Sequence, residues 1–227
     1  MEPDRARAPG AVLPQPALAA WDRWIAIGFA MGSACFFIGP FPGFVQLVGA
    51  GADGVVFFVG SLFFTSAALL AVRQCTVRQG RWAADLVWWS AAVQFVGTLL
   101  FNISTFAAMQ DGLSTQGENR LVWAPDVFGS AAFLIAGLLA YRVASRASRP
   151  PGRRDRAWKM AAVNLAGCVL FAVSAIASFV VPSTGSILDL AAANWTTALG
   201  ALCFFIGALL LLPPQHAQGP TVGQVPS

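Results

Sequence analysis

The amino-acid sequence predicts an all-α, polytopic membrane protein in which six transmembrane helices form three tandem helical hairpins. Hydrophobic residues make up 57% of the 227 residues and charged residues only 11%, against roughly 25% charged in a soluble domain. In addition, a Gly followed directly by a small residue, and four positions after the Gly by a Phe, occurs once in each of six long apolar runs. The composition indicates a bilayer environment, and the pattern indicates a repeated helical unit.

The apolar runs have about the 20 residues that a helix needs to cross the hydrocarbon core. Backbone groups in lipid must be satisfied within their own segment, so the runs are predicted to be helices. The predicted spans are Trp24–Gly39, Gly54–Arg73, Trp82–Met109, Leu121–Tyr141, Trp158–Val181 and Ala191–Leu212. The uncharged segment Pro40–Ala52 is predicted to be a loop that lies in the headgroup region or folds back over the bundle.

The pattern repeats most regularly when the spans are taken two at a time. Gly32 to Gly97 is 65 residues and Gly97 to Gly167 is 70, so the predicted unit is a hairpin. The hairpins cover about 24–73, 82–141 and 158–212 within a membrane domain over 21–212. The ends, 1–20 and 213–227, are rich in Pro, Gly and Gln and are predicted to be disordered cytoplasmic tails.

The six glycines of the pattern are predicted to be helix-packing positions, because small residues let helix backbones approach closely in lipid. A Phe one turn beyond each Gly would fill the space over a neighbouring Gly. A pore lined by the glycines is the alternative interpretation. The glycines are Gly32, Gly60, Gly97, Gly129, Gly167 and Gly200.

Basic residues predict the orientation. Thirteen of the fourteen Lys and Arg lie in the amino-terminal tail or in the second and fourth loops, and only Arg120 lies elsewhere. Short loops rich in Lys and Arg stay cytoplasmic, so both termini are predicted to be inside. The abundance of Ala, Gly, Arg and Pro is typical of a high-GC bacterial source, and the predicted location is therefore the bacterial plasma membrane, multi-pass. Trp123 and Trp195 fall at predicted outer ends, as interfacial belts require.

The same basic residues suggest a partner. They sit beside membrane ends, where anionic lipid headgroups rather than nucleic acid are the expected partner. The loop Arg142–Lys159 holds seven of them and is the candidate site for anionic lipid. The alternative interpretation is that this loop only fixes the topology.

The segment from Met31 to Phe37, of sequence MGSACFF, and the segment from Phe57 to Ser61, of sequence FFVGS, resemble the small bacterial YrhK-like membrane domain. That domain is a two-helix hairpin with a Gly-Ser in each helix. The resemblance is best over Trp24–Arg73 and implies that the later hairpins are divergent copies. It implies no catalytic or binding residues.

Polar residues within the spans are the usual indicators of function. Gln94, Thr98, Asn102 and Thr105 recur at helical spacing on one face of the third span, and Asn164 occupies the position in the fifth span equivalent to Gln94. These side chains are predicted either to join helices by hydrogen bonds, including one between Gln94 and Asn164, or to contact a solute.

Asp126 follows Pro125 at the start of the fourth span. It is predicted to cap that helix or to pair with Arg120, and the alternative is an acid at the mouth of a solute path. Asp53 and Asn194 begin the other even-numbered spans and are predicted to be caps as well.

The sequence favours no catalytic chemistry. The single His lies in the carboxy-terminal tail, no Cys pair has zinc spacing, and no nucleophile elbow is present. We therefore expect neither an enzyme nor a bound cofactor or metal. The leading hypothesis is a structural or interaction module that acts through a partner, a lipid or its own homo-oligomer. The alternative is a small-solute transporter or channel that uses the polar face of the third helix.

Overall fold

The computed structural model describes residues 15–79, 85–148 and 155–212. Six long helices dominate these ranges: α1 (Gln15–Ile38), α3 (Ala50–Gln79), α4 (Leu86–Ala107), α6 (Ala124–Ala147), α7 (Arg156–Ala177) and α8 (Leu190–Leu211). Shorter elements connect them: α2 (Pro42–Val48), α5 (Thr115–Glu118), a π-helical turn (Asn119–Trp123), and the two-residue strands β1 (Val180–Val181) and β2 (Ser186–Ile187), which pair antiparallel.

The predicted fold class is confirmed. Within the described ranges, five helices are long and apolar enough to cross a membrane, and the third of them runs unbroken from Thr115 to Ala147 through α5 and the π turn. A sixth span results if Ala19–Ile38 and Pro42–Val48, which meet at 90°, are counted together. The chain is an all-α, multi-pass membrane protein.

The segment between α1 and α3 differs from the predicted loop. It contains the seven-residue helix α2, which lies at a right angle to α1. Pro40 ends α1 because it has no N–H for the helix, and Pro42 can start α2 because the first turn needs no such donor. Gly49 ends α2 with a φ of +82°, a conformation that only glycine adopts without strain.

The ends of the membrane domain also differ from the sequence prediction. Helix α1 begins at Gln15, so the last residues of the predicted tail 1–20 are helical, and this Ala-rich stretch favours helix locally. Residues 1–14 and the tail 213–227 lie outside the described residues. Helix α4 begins at Leu86 rather than at Trp82, because Asp85 caps it by accepting a hydrogen bond from the amide of Val87.

The six long helices form a closed ring. Consecutive helices pack as the pairs α1 with α3, α4 with α6, and α7 with α8. Between these pairs, α3 packs on α4, α6 on α7, and α8 returns to α1. Each long helix therefore has two neighbours in the ring and one face towards its centre.

Within each pair, the backbones approach closely at the pattern glycines. A Cβ added to Gly97 would lie 3.0 Å from the carbonyl oxygen of Gly129, and one added to Gly129 would lie 3.1 Å from the carbonyl oxygen of Gly97. Gly167 and Gly200 approach in the same way, at 3.0 and 3.2 Å. A Cβ added to Gly32 would lie 2.9 Å from the carbonyl oxygen of Gly60, and one added to Gly60 would lie 2.7 Å from the Cβ of Cys35. Glycine permits these distances because it has no Cβ.

The six phenylalanines of the pattern fill the centre of the ring as one cluster. Phe36, Phe101 and Phe171 form a triangle with ring centroids 5.9–6.4 Å apart. Phe64, Phe133 and Phe204 form a second triangle with centroids 5.8–6.4 Å apart. The triangles stack on each other through the pairs 36–64, 101–133 and 171–204, at 5.5, 4.9 and 5.1 Å. Each ring is at most 7% exposed, so the layer closes the bundle axis.

Candidate functional site

Two cavities lie on the axis of the bundle, one on each side of the phenylalanine layer. We call the end of the bundle with α2, α5 and the β-strands the connector end, and the end where α1 begins and α8 finishes the termini end. The connector cavity has a volume of about 620 Å³ and is bordered by Phe36. The termini cavity has about 440 Å³ and is bordered by Phe204. All three helix pairs contribute to both cavities.

The connector cavity is acidic. Asp53, Glu118 and Asp126 line it, and no Lys or Arg is among the described residues on its wall. Arg120, the basic residue nearest in sequence, is exposed. Because three acidic side chains share this wall without a described basic neighbour, each one that is ionised makes the potential in the cavity more negative.

Asp126 is half-buried and lies on the wall of the connector cavity. The predicted roles in capping α6 and pairing with Arg120 are both wrong: α6 continues from the π turn without a side-chain cap, and within the described chain Asp126 has no ion pair. The alternative, an acid at the mouth of a solute path, stays a prediction.

The π turn that precedes Asp126 has a local cause. Pro125 lacks the N–H that would bond one turn back, and its ring crowds the preceding carbonyl groups. The backbone widens there, and the amide of Ala124 bonds to the carbonyl of Asn119, five residues earlier. The carbonyl of Val122 accepts a hydrogen bond of 2.8 Å from Ser104 on α4. The π turn and this hydrogen bond thus determine which side chains of α6 face the cavity.

Asp53 was predicted to cap its helix, but α3 begins three residues earlier, at Ala50, and Asp53 lies in its first turn. One of its carboxylate oxygens is buried without a hydrogen-bond partner in the described chain. Asn194, the other predicted cap, does not begin its helix. Asp189 caps α8 by accepting a hydrogen bond from the amide of Ala192, so Asn194 lies one turn further along and lines the connector cavity. The sequence prediction placed this cap wrongly because either residue satisfies the local preference for an N-cap.

Trp123 forms part of the aromatic wall of the connector cavity, together with Phe57 and Phe36. Its indole N–H donates to the carbonyl of Ala175 at 2.8 Å, and its ring meets Phe179 edge-on at 4.9 Å. These contacts fix the ring. The sequence indicated only an interfacial Trp at this position, and neither Trp123 nor Glu118 was expected at a site.

The termini cavity carries no charged residue among its described lining. Gln94 and Asn164 both line it, as their equivalent positions suggest. The predicted hydrogen bond between them is absent from the described structure, and neither amide donates to or accepts from another described side chain. Two unpartnered amides therefore face one apolar chamber.

The rest of the polar face of α4 packs against α3. Asn102 accepts a hydrogen bond of 3.1 Å from Thr65, and Thr105 lies 3.0 Å from the hydroxyl of Ser61. Thr98 is fully buried and donates to the carbonyl of Phe95 in its own helix. The predicted face is therefore divided: Gln94 lines the termini cavity, Thr105 lines the connector cavity, and Thr98 and Asn102 lie in the packed layer between them.

The basic loop Arg142–Lys159 has one member with a structural role. The Arg156 side chain donates to the carbonyls of Leu210, at 2.7 Å, and Leu212, at the end of α8. A basic side chain there satisfies carbonyls that a helix end leaves free. Arg142, Arg146 and Lys159 are exposed. Arg149, Arg153 and Arg154 lie outside the described residues.

Within the described chain, no three His, Cys, Asp or Glu side chains come together as a metal site. Comparison with protein-family models, with curated proteins and with solved structures finds no match.

Proposed function

We propose that this protein is a small-solute transporter of a bacterial plasma membrane, with both termini in the cytoplasm. The observation that carries the proposal is the pair of cavities on opposite sides of one aromatic layer. A transporter needs a binding space that is accessible from one side at a time, and a layer of packed side chains between two chambers supplies the barrier. The geometry therefore favours the transporter, which was the alternative hypothesis from the sequence.

The unpartnered polar groups support this proposal. Asp126, Gln94 and Asn164 lie in the membrane-spanning part of the chain without hydrogen-bond partners among the described residues. Burial of such groups is unfavourable, and they are retained mainly where they face water or a ligand. A bundle built only for packing has no need of them.

The orientation within the proposal follows from charge. The described acids of the connector end are Asp53, Asp111, Glu118, Asp126 and Asp189, against Arg120 alone. The described basic residues of the termini end are Arg23, Arg73, Arg78, Arg142, Arg146, Arg156 and Lys159. Basic ends stay in the cytoplasm, so the acidic connector cavity would open to the outside.

The proposal includes an internal repeat. The three helix pairs place equivalent Gly and Phe residues at equivalent positions, which supports three copies of one hairpin around an axis along the membrane normal. Parallel repeats of this kind occur among transporters. The YrhK-like resemblance of the first hairpin would then extend, in diverged form, to the other two.

The structural or interaction module remains a second candidate. The observation in its favour is that Thr98 and Asn102 take part in helix packing and that the phenylalanine layer is closed. In that case the cavities would be packing defects, and the protein would act through lipid, a partner or its own oligomer.

Cysteine accessibility separates the two candidates. In a background with the four native cysteines replaced by Ala, Asn194→Cys reports on the connector cavity and Asn164→Cys on the termini cavity. A membrane-impermeant thiol reagent is applied to intact cells and, separately, to inside-out vesicles. We expect Asn194→Cys to react from outside and Asn164→Cys from inside. Ala201→Cys, at a position that is 0% exposed, is the unreactive control.

If neither cavity position reacts from either side, the transporter proposal is wrong and the module is favoured. Native mass spectrometry of protein released from nanodiscs then adds an independent result. A discrete small molecule that is lost on Gln94→Leu or Asn164→Leu replacement supports transport. A defined oligomer that carries only lipid supports the module.

A further inference from the structure

We propose that the connector cavity binds a small organic ammonium ion. This inference rests on the proposed function, because it takes the connector cavity as the place where the transported solute first binds. Its physical basis is the combination, in one chamber, of acidic side chains that have no described basic neighbour with aromatic side chains.

The charge of the cavity selects a cation. Three carboxylates line it and no described Lys or Arg compensates them. Asp126 has no ion-pair partner in the described chain, and a buried oxygen of Asp53 has no hydrogen-bond partner. A nearby positive charge stabilises the ionised form of such a group. A bound cation would supply the positive partner that the described wall lacks.

The aromatic walls select an organic cation. Trp123 is held by its bond to Ala175 and lines the same chamber as Asp126, with Phe57 on the wall contributed by α3. An ammonium group over aromatic faces is attracted by the ring quadrupoles, and quaternary ammonium ligands are recognised in this way. Inorganic cations instead require several oxygen ligands around one point, and no such cluster exists among the described acids.

The size of the cavity agrees with a small ligand. Its volume of about 620 Å³ lies within the ~300–1,000 Å³ typical of small-molecule sites. The termini cavity has no charge on its described wall. Selection of the cation would therefore take place at the connector end, and the neutral amides at the other end would allow release.

Equilibrium binding to the full chain in nanodiscs tests the inference. Choline is the probe, and 3,3-dimethylbutan-1-ol is its uncharged isostere. We expect choline to bind saturably and the isostere not to compete. Asp126→Asn should weaken choline binding by about tenfold or more, because the ammonium group loses a carboxylate partner. Asp53→Asn is a second variant that should also weaken choline binding. Asp111→Asn, an exposed acid at the same end but outside the cavity, is the matched control and should bind normally.

The outcomes are distinct. Any one of four results would overturn the ammonium site, whatever the cysteine labelling shows. They are no choline binding, competition by the isostere, equal competition by Na⁺ or K⁺, and normal choline binding by the monodisperse Asp126→Asn and Asp53→Asn variants. Saturable choline binding without uptake into proteoliposomes, together with no one-sided labelling, would keep the site and overturn transport. Binding with uptake supports both.

Discussion

At the scale of single residues, the distances between helix backbones depend on a few glycines. The pattern glycines lie so close to atoms of the partner helix that a Cβ would meet them, so their role is steric. Gly207, which lies outside the pattern, is different: a Cβ there would have no atom within 4 Å.

This contrast leads to a prediction. Gly97→Ala should lower the free energy of unfolding by about 1–3 kcal/mol, because the new methyl group meets the Gly129 carbonyl at 3.0 Å and the helices must separate. Gly207→Ala should leave it unchanged or raise it by up to about 1 kcal/mol, since Ala favours helix. Denaturation of the purified proteins in mixed micelles measures both. Equal effects of the two substitutions would mean that the close glycine contacts do not determine packing.

At the scale of elements, the connections carry more structure than hydropathy suggests. Helix α2, α5 and the π turn are short, and the π turn contains Trp123 and leads into the first turn of α6, where Asp126 lies. Asn119 joins two of the connections: its amide donates to the carbonyl of Val180 at 2.6 Å and accepts from the Val180 amide at 3.0 Å. The Asn119 side chain thus makes the two hydrogen bonds with β1 that a neighbouring strand would make.

Asn119→Ala should therefore loosen the connector end. Two hydrogen bonds are lost and the backbone of Val180 keeps no replacement, which should cost about 1–3 kcal/mol. We expect faster hydrogen exchange in β1 and β2 and weaker choline binding, with exchange in α4 unchanged. Gln116→Ala, an exposed position in the same segment, is the control and should change neither. Unaltered exchange at Val180 would show that the strands are held by other contacts.

At the scale of the whole molecule, the phenylalanine layer both holds the ring together and separates the cavities. Phe133 is 1% exposed and contacts rings from three other helices, whereas Phe128 on the same helix is 65% exposed on the outer surface. Phe133 therefore packs in the core, whereas Phe128 is on the surface that would face lipid.

Phe133→Ala should destabilise the protein by about 3–5 kcal/mol, as a large void opens in a packed layer. It should also make Asn164→Cys reactive from the outside, because the void joins the two cavities. Phe128→Ala should do neither. If Phe133→Ala folds normally and the labelling remains one-sided, the layer is not the barrier.

The sequence alone was sufficient for the fold class. A long uncharged apolar run lies in lipid, where its backbone N–H and C=O groups must bond to each other within one helix. It also identified the glycines at which paired helices meet and the phenylalanines that pack over them, since a fixed spacing marks equivalent faces. Tertiary structure decided which polar residues share a chamber. The spans are apolar on all sides, so periodicity cannot show which face meets a neighbour, the axis or lipid. For that reason only the tertiary structure shows that Asp126, Asn194 and Trp123 line one cavity.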